Sequence, residues 1–240
     1  MSIAIVGDWH GNLPFAEKVI RTATMHGATR ILHVGDFGVW YPYTFPKYVS
    51  DLAGMYGAEV YFIDGNHEDH VYLQSKNPDP IGFVQLAEHV HYITRGTIWE
   101  WEGLSFLGLG GAVSVDKSWR KEGISWFPQE VINDQDVMRA TRIPRVDVMI
   151  THDCPDGVDI PGISDNPYGF PQEDLDASEE HRKILGSVVD SVKPSLLYHG
   201  HFHTRYSAMR GETRITGLGD DRGSVSDNVV YLTGPYGSDI

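Results

Sequence analysis

The sequence predicts an α/β protein: a parallel sheet with crossover helices, followed by a second sheet or the middle of a two-sheet sandwich. Three observations lead there. The first third alternates short β-type runs with helix-type segments, the region after residue 90 changes to closely spaced short strands, and polar clusters recur directly after predicted strands.

Taken in order, residues 2–6 read as a strand, 13–26 as a helix, 30–34 as a strand, 43–56 as a helix and 59–63 as a third strand, a βαβαβ rhythm. Pro46 near the start of the second helix leaves its N-terminal boundary open. Residues 90–113 read as short strands separated by Gly or charged turns, with Trp99, Trp101, Phe106 and Leu107 supplying apolar surface. Residues 146–150 form a continuous apolar run, 178–192 a helix, and 195–198 a buried strand; 206–209, 214–218 and 229–232 read as closing strands. Two long loops, 114–128 and the Pro-, Gly- and Asp-rich 155–174, have the length at which ordered loops carry function.

Composition sets further bounds. The 240 residues are expected to form a single domain, 1–240, with an ordinary 41% hydrophobic and 22% charged content. No stretch approaches the roughly 18 apolar residues of a membrane span, so no membrane partner is expected. The opening MSIAIVGDWHGN does not fit a secretory signal, and the lone Cys154 agrees with a reducing compartment; a cytoplasmic location is the expectation. Acidic residues outnumber basic ones 33 to 19, and the net charge of −14 opposes binding to long nucleic acid. Composition is silent on oligomeric state.

Five segments carry the candidate chemistry: GDWHGN at 7–12, GDFG at 35–38, GNHE at 65–68, THD at 151–153 and GHFH at 200–203. Each follows a predicted strand, and ligands in open α/β sheets bind beyond the carboxyl ends of strands, so the five are expected to converge on one crevice. Their carboxylates, imidazoles and one amide, without thiolate, are the donors a pair of divalent cations requires, and suit Mn²⁺, Fe or Zn²⁺ better than Ca²⁺. Spacing alone leaves open how Asp8 and His10, or His201 and His203, divide between two ions.

The ordered set D-x-H, GD, GNH[E/D], H and GH-x-H, running from Gly7 to His203, resembles the calcineurin-like metallophosphoesterase superfamily. The resemblance implies a two-sheet β sandwich flanked by helices, with the site at strand ends. It implies Asp8, His10 and His203 on a first metal, Asn66, His152 and His201 on a second, Asp36 bridging them, and His67 as a non-ligand that protonates the leaving oxygen or steadies the phosphate. Two ions about 3.5–4 Å apart hold a hydroxide between them, lower its pKa and clamp the phosphoryl oxygens. The expected cofactors are therefore two divalent metal ions, Mn²⁺ first. The expected reaction is hydrolysis of small phosphodiesters of nucleotide type, cyclic nucleotides included, with phosphomonoesters as additional substrates. A nuclease acting on nucleic-acid ends is the alternative enzyme, and a scaffold without activity a third reading opposed by the complete ligand set.

Some positions depart from the family pattern. Val39 stands where the second motif often has a further Asp, and Trp40, Tyr41 and Asp64 occupy places where protein serine/threonine phosphatases carry arginines. The segment 110–130 looks like one found in small bacterial and phage members. Arg120 within it, Arg205 after GHFH and His70 after GNHE are candidate substrate contacts, with solvated or packing roles as the plain alternative. Lys121 stands beside Arg120 on the same terms. Cys154 reads as a small buried residue, His33 and His199 as core or supporting groups, and His26, His89, His91 and His181 as surface or packing residues. Trp40, Tyr41 and Tyr43 read as core before they read as a base-stacking wall.

Overall fold

A computed structural model describes residues 2–163, 166 and 168–232. Positions 164, 165 and 167 of the second long loop therefore lie outside the described residues. In chain order the elements are β1 (Ser2–Val6), α1 (Leu13–Met25), β2 (Ala28–His33), α2 (Phe45–Tyr56), β3 (Glu59–Phe62), α3 (His70–Gln74), β4 (Phe83–Ala87), β5 (Val90–Ile93), β6 (Thr97–Trp101) and β7 (Leu104–Leu109). They continue with α4 (Asp134–Ala140), β8 (Val148–Thr151), α5 (Gln172–Val192), β9 (Leu196–His199), β10 (Tyr206–Arg210), β11 (Thr213–Gly217), α6 (Val225–Asn228) and β12 (Val229–Leu232).

The strands form two six-stranded sheets, ordered β12-β1-β2-β3-β5-β4 and β10-β11-β9-β8-β7-β6. In each sheet four central parallel strands are flanked by one antiparallel strand at either edge. The period-two alternation of strand side chains explains the layering. Ile3 and Ile5 of β1 point between the sheets, where they join Leu32, Val34, Phe106, Ile150 and Tyr198, whereas Ala4 and Val6 point outward beneath the first helices. The stripe Phe15, Ala16, Val19, Ile20 and Ala23 makes α1 amphipathic and seats it on that outer face. α1 starts where Asn12 caps it, its side chain accepting the Phe15 N–H. On the far side Leu185, Val188, Val189 and Val192 of α5 cover the second sheet with Met149 and Leu197. The result is the helix-flanked two-sheet sandwich.

Several expected boundaries shift for physical reasons. The change of sheet does not fall at residue 90: Val90–Ile93 is β5, which pairs in parallel with β3 in the first sheet. The chain crosses over after it, through Gly96 at φ +78°, where a Cβ would stand 2.6 Å from that of Arg139. α2 begins at Phe45 because Tyr43 has a left-handed φ of 58°, and Pro46 sits in the first turn, where its missing N–H costs nothing. α5 starts at Gln172, earlier than the 178 expected, with Glu173 and Asp174 at its positive end. The expected run at 146–150 becomes β8 at Val148–Thr151. The helices α3 and α4 add to the expected elements; α4 opens on a reciprocal cap between Asn133 and Asp136. No helix among the described residues is long and apolar enough to cross a membrane.

Candidate metal centre and cleft

Five loops leave β1, β2, β3, β8 and β9 at their carboxyl ends, and their polar residues meet. Ligand atoms of Asp8, His10, Asp36 and His203 all lie within 4.8 Å of one another. His203 Nε2 stands 3.1 Å from Asp8 Oδ2, and His10 Nε2 stands 3.4 Å from Asp36 Oδ2. A second group lies on the other side of Asp36: His152 Nε2 is 3.3 Å from Asp36 Oδ2 and 3.2 Å from Asn66 Oδ1, with the His201 ring 5.1 Å from that of His152. Asp36 is the carboxylate that touches both groups. His67 reaches the same carboxylate at 4.0 Å through Nε2, while its N–H donates to Asp36 Oδ1 at 2.9 Å.

Tight backbone geometry makes this convergence possible. His10, Asp36, His201 and His203 all have φ between 45° and 63°, a left-handed conformation that residues other than Gly seldom adopt. The motif glycines make room: a Cβ on Gly200 would lie 1.9 Å from Asp8 Oδ1, and one on Gly65 would lie 2.2 Å from Asp36 Oδ1. Glu68 is buried between the second and third loops and accepts the N–H groups of Gly38 at 3.1 Å and Gly65 at 2.6 Å.

The electrostatics favour positive charge at this point. Burial opposes ionisation of Asp8 and Asp36, but His203 and His152 hold Asp8, and His152, His67 and His10 hold Asp36, below the usual carboxylate range. Reciprocally, burial would lower His10 and His152, yet Asp36 and Asp8 raise both to about 10. Asp8 Oδ1 is buried with no hydrogen-bond partner. Two buried carboxylates, one of them with an orphaned oxygen, clustered imidazoles and an amide oxygen together fit divalent cations.

Groups behind the histidines fix which nitrogen faces the centre. His10 Nδ1 meets Asp221 Oδ1 at 2.9 Å, and Asn12 Nδ2 donates to the other Asp221 oxygen at 2.8 Å. His152 Nδ1 bonds the Val34 carbonyl at 2.9 Å. His203 Nδ1 accepts from Arg222 Nη2 at 2.7 Å. The Asn66 amide is oriented by Ser114, whose Oγ accepts from Asn66 Nδ2 at 3.0 Å and donates to Glu130 Oε2 at 2.6 Å. Neither Asp221 nor Ser114 stands out in the sequence. The available signal for Asp221 is its place in GDDRG, which follows the strand predicted at 214–218.

A cavity of about 940 Å³ opens above Asp36, Asn66, His67, His201 and His203, walled by the two long loops. Arg120 lines it: Nη2 donates to His67 Nε2 at 2.8 Å, Nε pairs with Asp116 at 2.8 Å, and Nη1 is buried without a partner. The other two candidate contacts lie outside the lining of this cavity. His70 is 2% exposed, held under α3 by Asp64 at 3.5 Å and packed near Phe127, outside the cavity. The cap that Asp69 places on α3 turns it inward. Arg205 is exposed and outside the lining; the cavity's further arginines are Arg182 and Arg222.

Residues expected in packing roles divide. Cys154 is buried, and burial pushes its thiol up to about 11, which suits packing. His33 packs against Trp9 and Phe37, and His199 bonds the Tyr206 hydroxyl at 2.7 Å. His181 is buried against Asp153 at 2.7 Å. Trp40 and Tyr41 are not core but 38% and 82% exposed; Trp40 lies over Gly11, and Tyr43 stacks on Tyr72 away from the cavity.

The chain is similar to known proteins in sequence and in fold. The sequence profile of the calcineurin-like phosphoesterase superfamily domain matches residues 1–230. A lariat debranching enzyme of Drosophila melanogaster is 25% identical over 257 residues, covering 93% of this chain and 47% of that protein. One of Entamoeba histolytica is 25% identical over 168 residues, covering 66% and 46%. The chain thus spans about half the length of these curated relatives. Among solved structures, a dimetal phosphatase from Danio rerio superposes with a TM-score of 0.61 at 11% identity, covering 98% of this chain and 92% of that one. The TT1561 protein of Thermus thermophilus gives 0.58 at 14% identity, covering 96% and 93%; both likenesses speak to the fold. With its profile match over nearly the whole chain, this protein belongs to the calcineurin-like phosphoesterase superfamily.

Proposed function

We propose that the chain, acting as one catalytic domain over residues 1–240, hydrolyses small phosphodiesters of nucleotide type, and phosphomonoesters as additional substrates. The observation that carries this reading is Asp36, a buried carboxylate shared by two ligand groups beneath a cavity that holds His67 and Arg120. In this reading Asp8, His10 and His203 hold one divalent ion, Asn66, His152 and His201 the other, and Asp36 both, with Mn²⁺ the first ion to test. Such a pair, when bound, supplies a nucleophile at neutral pH and neutralises charge on the phosphoryl oxygens.

The remaining work falls to the chain's own side chains. Arg120, steadied by Asp116, stands in the cavity lining with its guanidinium available to a phosphoryl oxygen. Once a phosphate takes over Arg120, Nε2 of His67 is released to take up a proton from solvent and pass it to the departing oxygen. Asp221 and Ser114 keep His10 and Asn66 aimed inward, so little reorganisation accompanies reaction.

The test is turnover of an aryl phosphodiester and of a panel of nucleotide diesters and monoesters by the manganese-loaded protein, with and without chelator. Chelator-sensitive hydrolysis of diesters is expected. Protein carrying its full metal complement that turned over no phosphoester would overturn the reading. The similarity to lariat debranching enzymes favours a second reading, hydrolysis of nucleic-acid phosphodiesters, which the net charge of −14 opposes. Branched and linear oligonucleotides in the same panel separate the two.

A further inference from the structure

The cavity is larger than a phosphate requires, lying at the upper end of the volumes that whole small-molecule ligands fill. One end is the polar centre. Beyond it the lining brings Val158, Tyr168, Phe170, Leu175 and Phe202 together with the polar side chains of Asp156, Asn166, Ser178, Glu179 and Arg182.

These walls are held in place. The Phe170 N–H donates to Asn166 Oδ1 at 2.8 Å and its carbonyl accepts from Asn166 Nδ2 at 2.7 Å, while its ring packs 5.2 Å from Trp119 and 5.7 Å from Tyr168. Opposite, Arg182 lies 5.5 Å over the Phe202 ring and donates to the carbonyls of Cys154, Pro155 and Val158, which fixes both ring and loop. Lys117 reaches buried Asp174 at 2.7 Å, tying the first long loop to the base of α5. The two loops therefore form one wall, yet Trp119 and Tyr168 remain 64% and 75% exposed. Phe170 and Tyr168, which line the cavity with Trp119 bracing Phe170 from behind, match a flat aromatic partner better than an alkyl chain, because stacking uses the ring face and tolerates an open site.

We propose that this recess binds the planar base of a nucleotide ester, with Phe170 as its stacking surface, while Arg120 and the metal centre hold the phosphate. The proposal rests on the phosphodiesterase reading for its substrate class. Its test is a binding measurement that does not depend on turnover.

The manganese-loaded protein is titrated by calorimetry with three non-hydrolysable probes: the methylenephosphonate analogue of AMP, the corresponding ribose phosphonate, and methylphosphonate. The adenosine probe is expected to bind about tenfold more tightly than the ribose probe, the size of one base–aromatic stack. Phe170→Ala should abolish that margin while leaving ribose-probe affinity and metal content unchanged, and Phe170→Tyr should keep it. Equal affinities of the adenosine and ribose probes in the unmodified protein, or a margin that survives Phe170→Ala, would overturn the proposal. If the margin is present and depends on Phe170 but no diester is hydrolysed, the recess stands and the reaction is wrong; if diesters are hydrolysed without a margin, the reverse holds.

Discussion

Replacing Ser114 by Ala probes the link between the first long loop and the centre. The Ser114 hydroxyl makes two buried hydrogen bonds, one from the Asn66 amide at 3.0 Å and one to the Glu130 carboxylate at 2.6 Å. Losing a neutral bond and a bond to a buried carboxyl group costs about 2–3 kcal/mol. For a chain of this size that lowers the melting temperature by roughly 4–12 °C. A second effect is local: Ser114 is what holds Nδ2 of Asn66 outward, and without it the amide oxygen is no longer fixed toward His152. Loss of such an orienting partner weakens a metal site by about 10–100-fold. The assays are thermal unfolding of the chelated protein, which isolates the stability effect from metal linkage, and metal titration of the native protein. Destabilisation with selective weakening of one of two ions is expected. An unchanged melting temperature together with two ions bound as tightly as before would refute the orienting role.

Other positions can be tested in parallel. Asp221→Asn removes the charge behind His10 and should weaken the other ion, the one Asp8, His10 and His203 are proposed to hold, by about 10–100-fold in a competition titration while Asn66-side binding persists. His67→Gln should keep its metal content but lose much more activity on esters with alkoxide leaving groups than on nitrophenyl esters; a plot of log rate against leaving-group pKa should steepen, and parallel lines would mean that His67 only holds the phosphate. Arg95→Met leaves Asp64, 1% exposed and otherwise paired with Arg95 Nε at 2.9 Å, buried without its cation. A loss of about 3–5 kcal/mol in denaturant unfolding is expected, and a loss below about 1 kcal/mol would show that His70 and Tyr92 suffice to carry the Asp64 charge.

The sequence exposed the centre more fully than it exposed its supports. Asp8, His10, Asp36, Asn66, His67, His152, His201 and His203 are legible because each sits in a glycine-flanked or polar cluster directly after an apolar run, and topology alone then gathers them. The partners that orient them carry no such mark. Ser114 acts through one hydroxyl from a long loop, and Asp221 reaches His10 across 211 positions of chain. Residues 90–93 belong to the first sheet rather than the second, and a short apolar strand has the same pattern in either; register with β3 decides it. His70 resembles a cleft residue by proximity to GNHE, but one capped turn is enough to reverse its direction. Arg120 is separable from Arg205 only through the loop's return to His67.

Everything proposed for the centre depends on one carboxylate, Asp36, joining two metal ions. Counting ions per chain, by elemental analysis and by titration, decides this in the unmodified protein, in Asn66→Ala and in Asp36→Asn. Two ions, about one, and weakened binding of both are expected, respectively. An Asp36→Asn protein that still held two ions with unchanged affinity and turned over at the normal rate would contradict the shared role of Asp36.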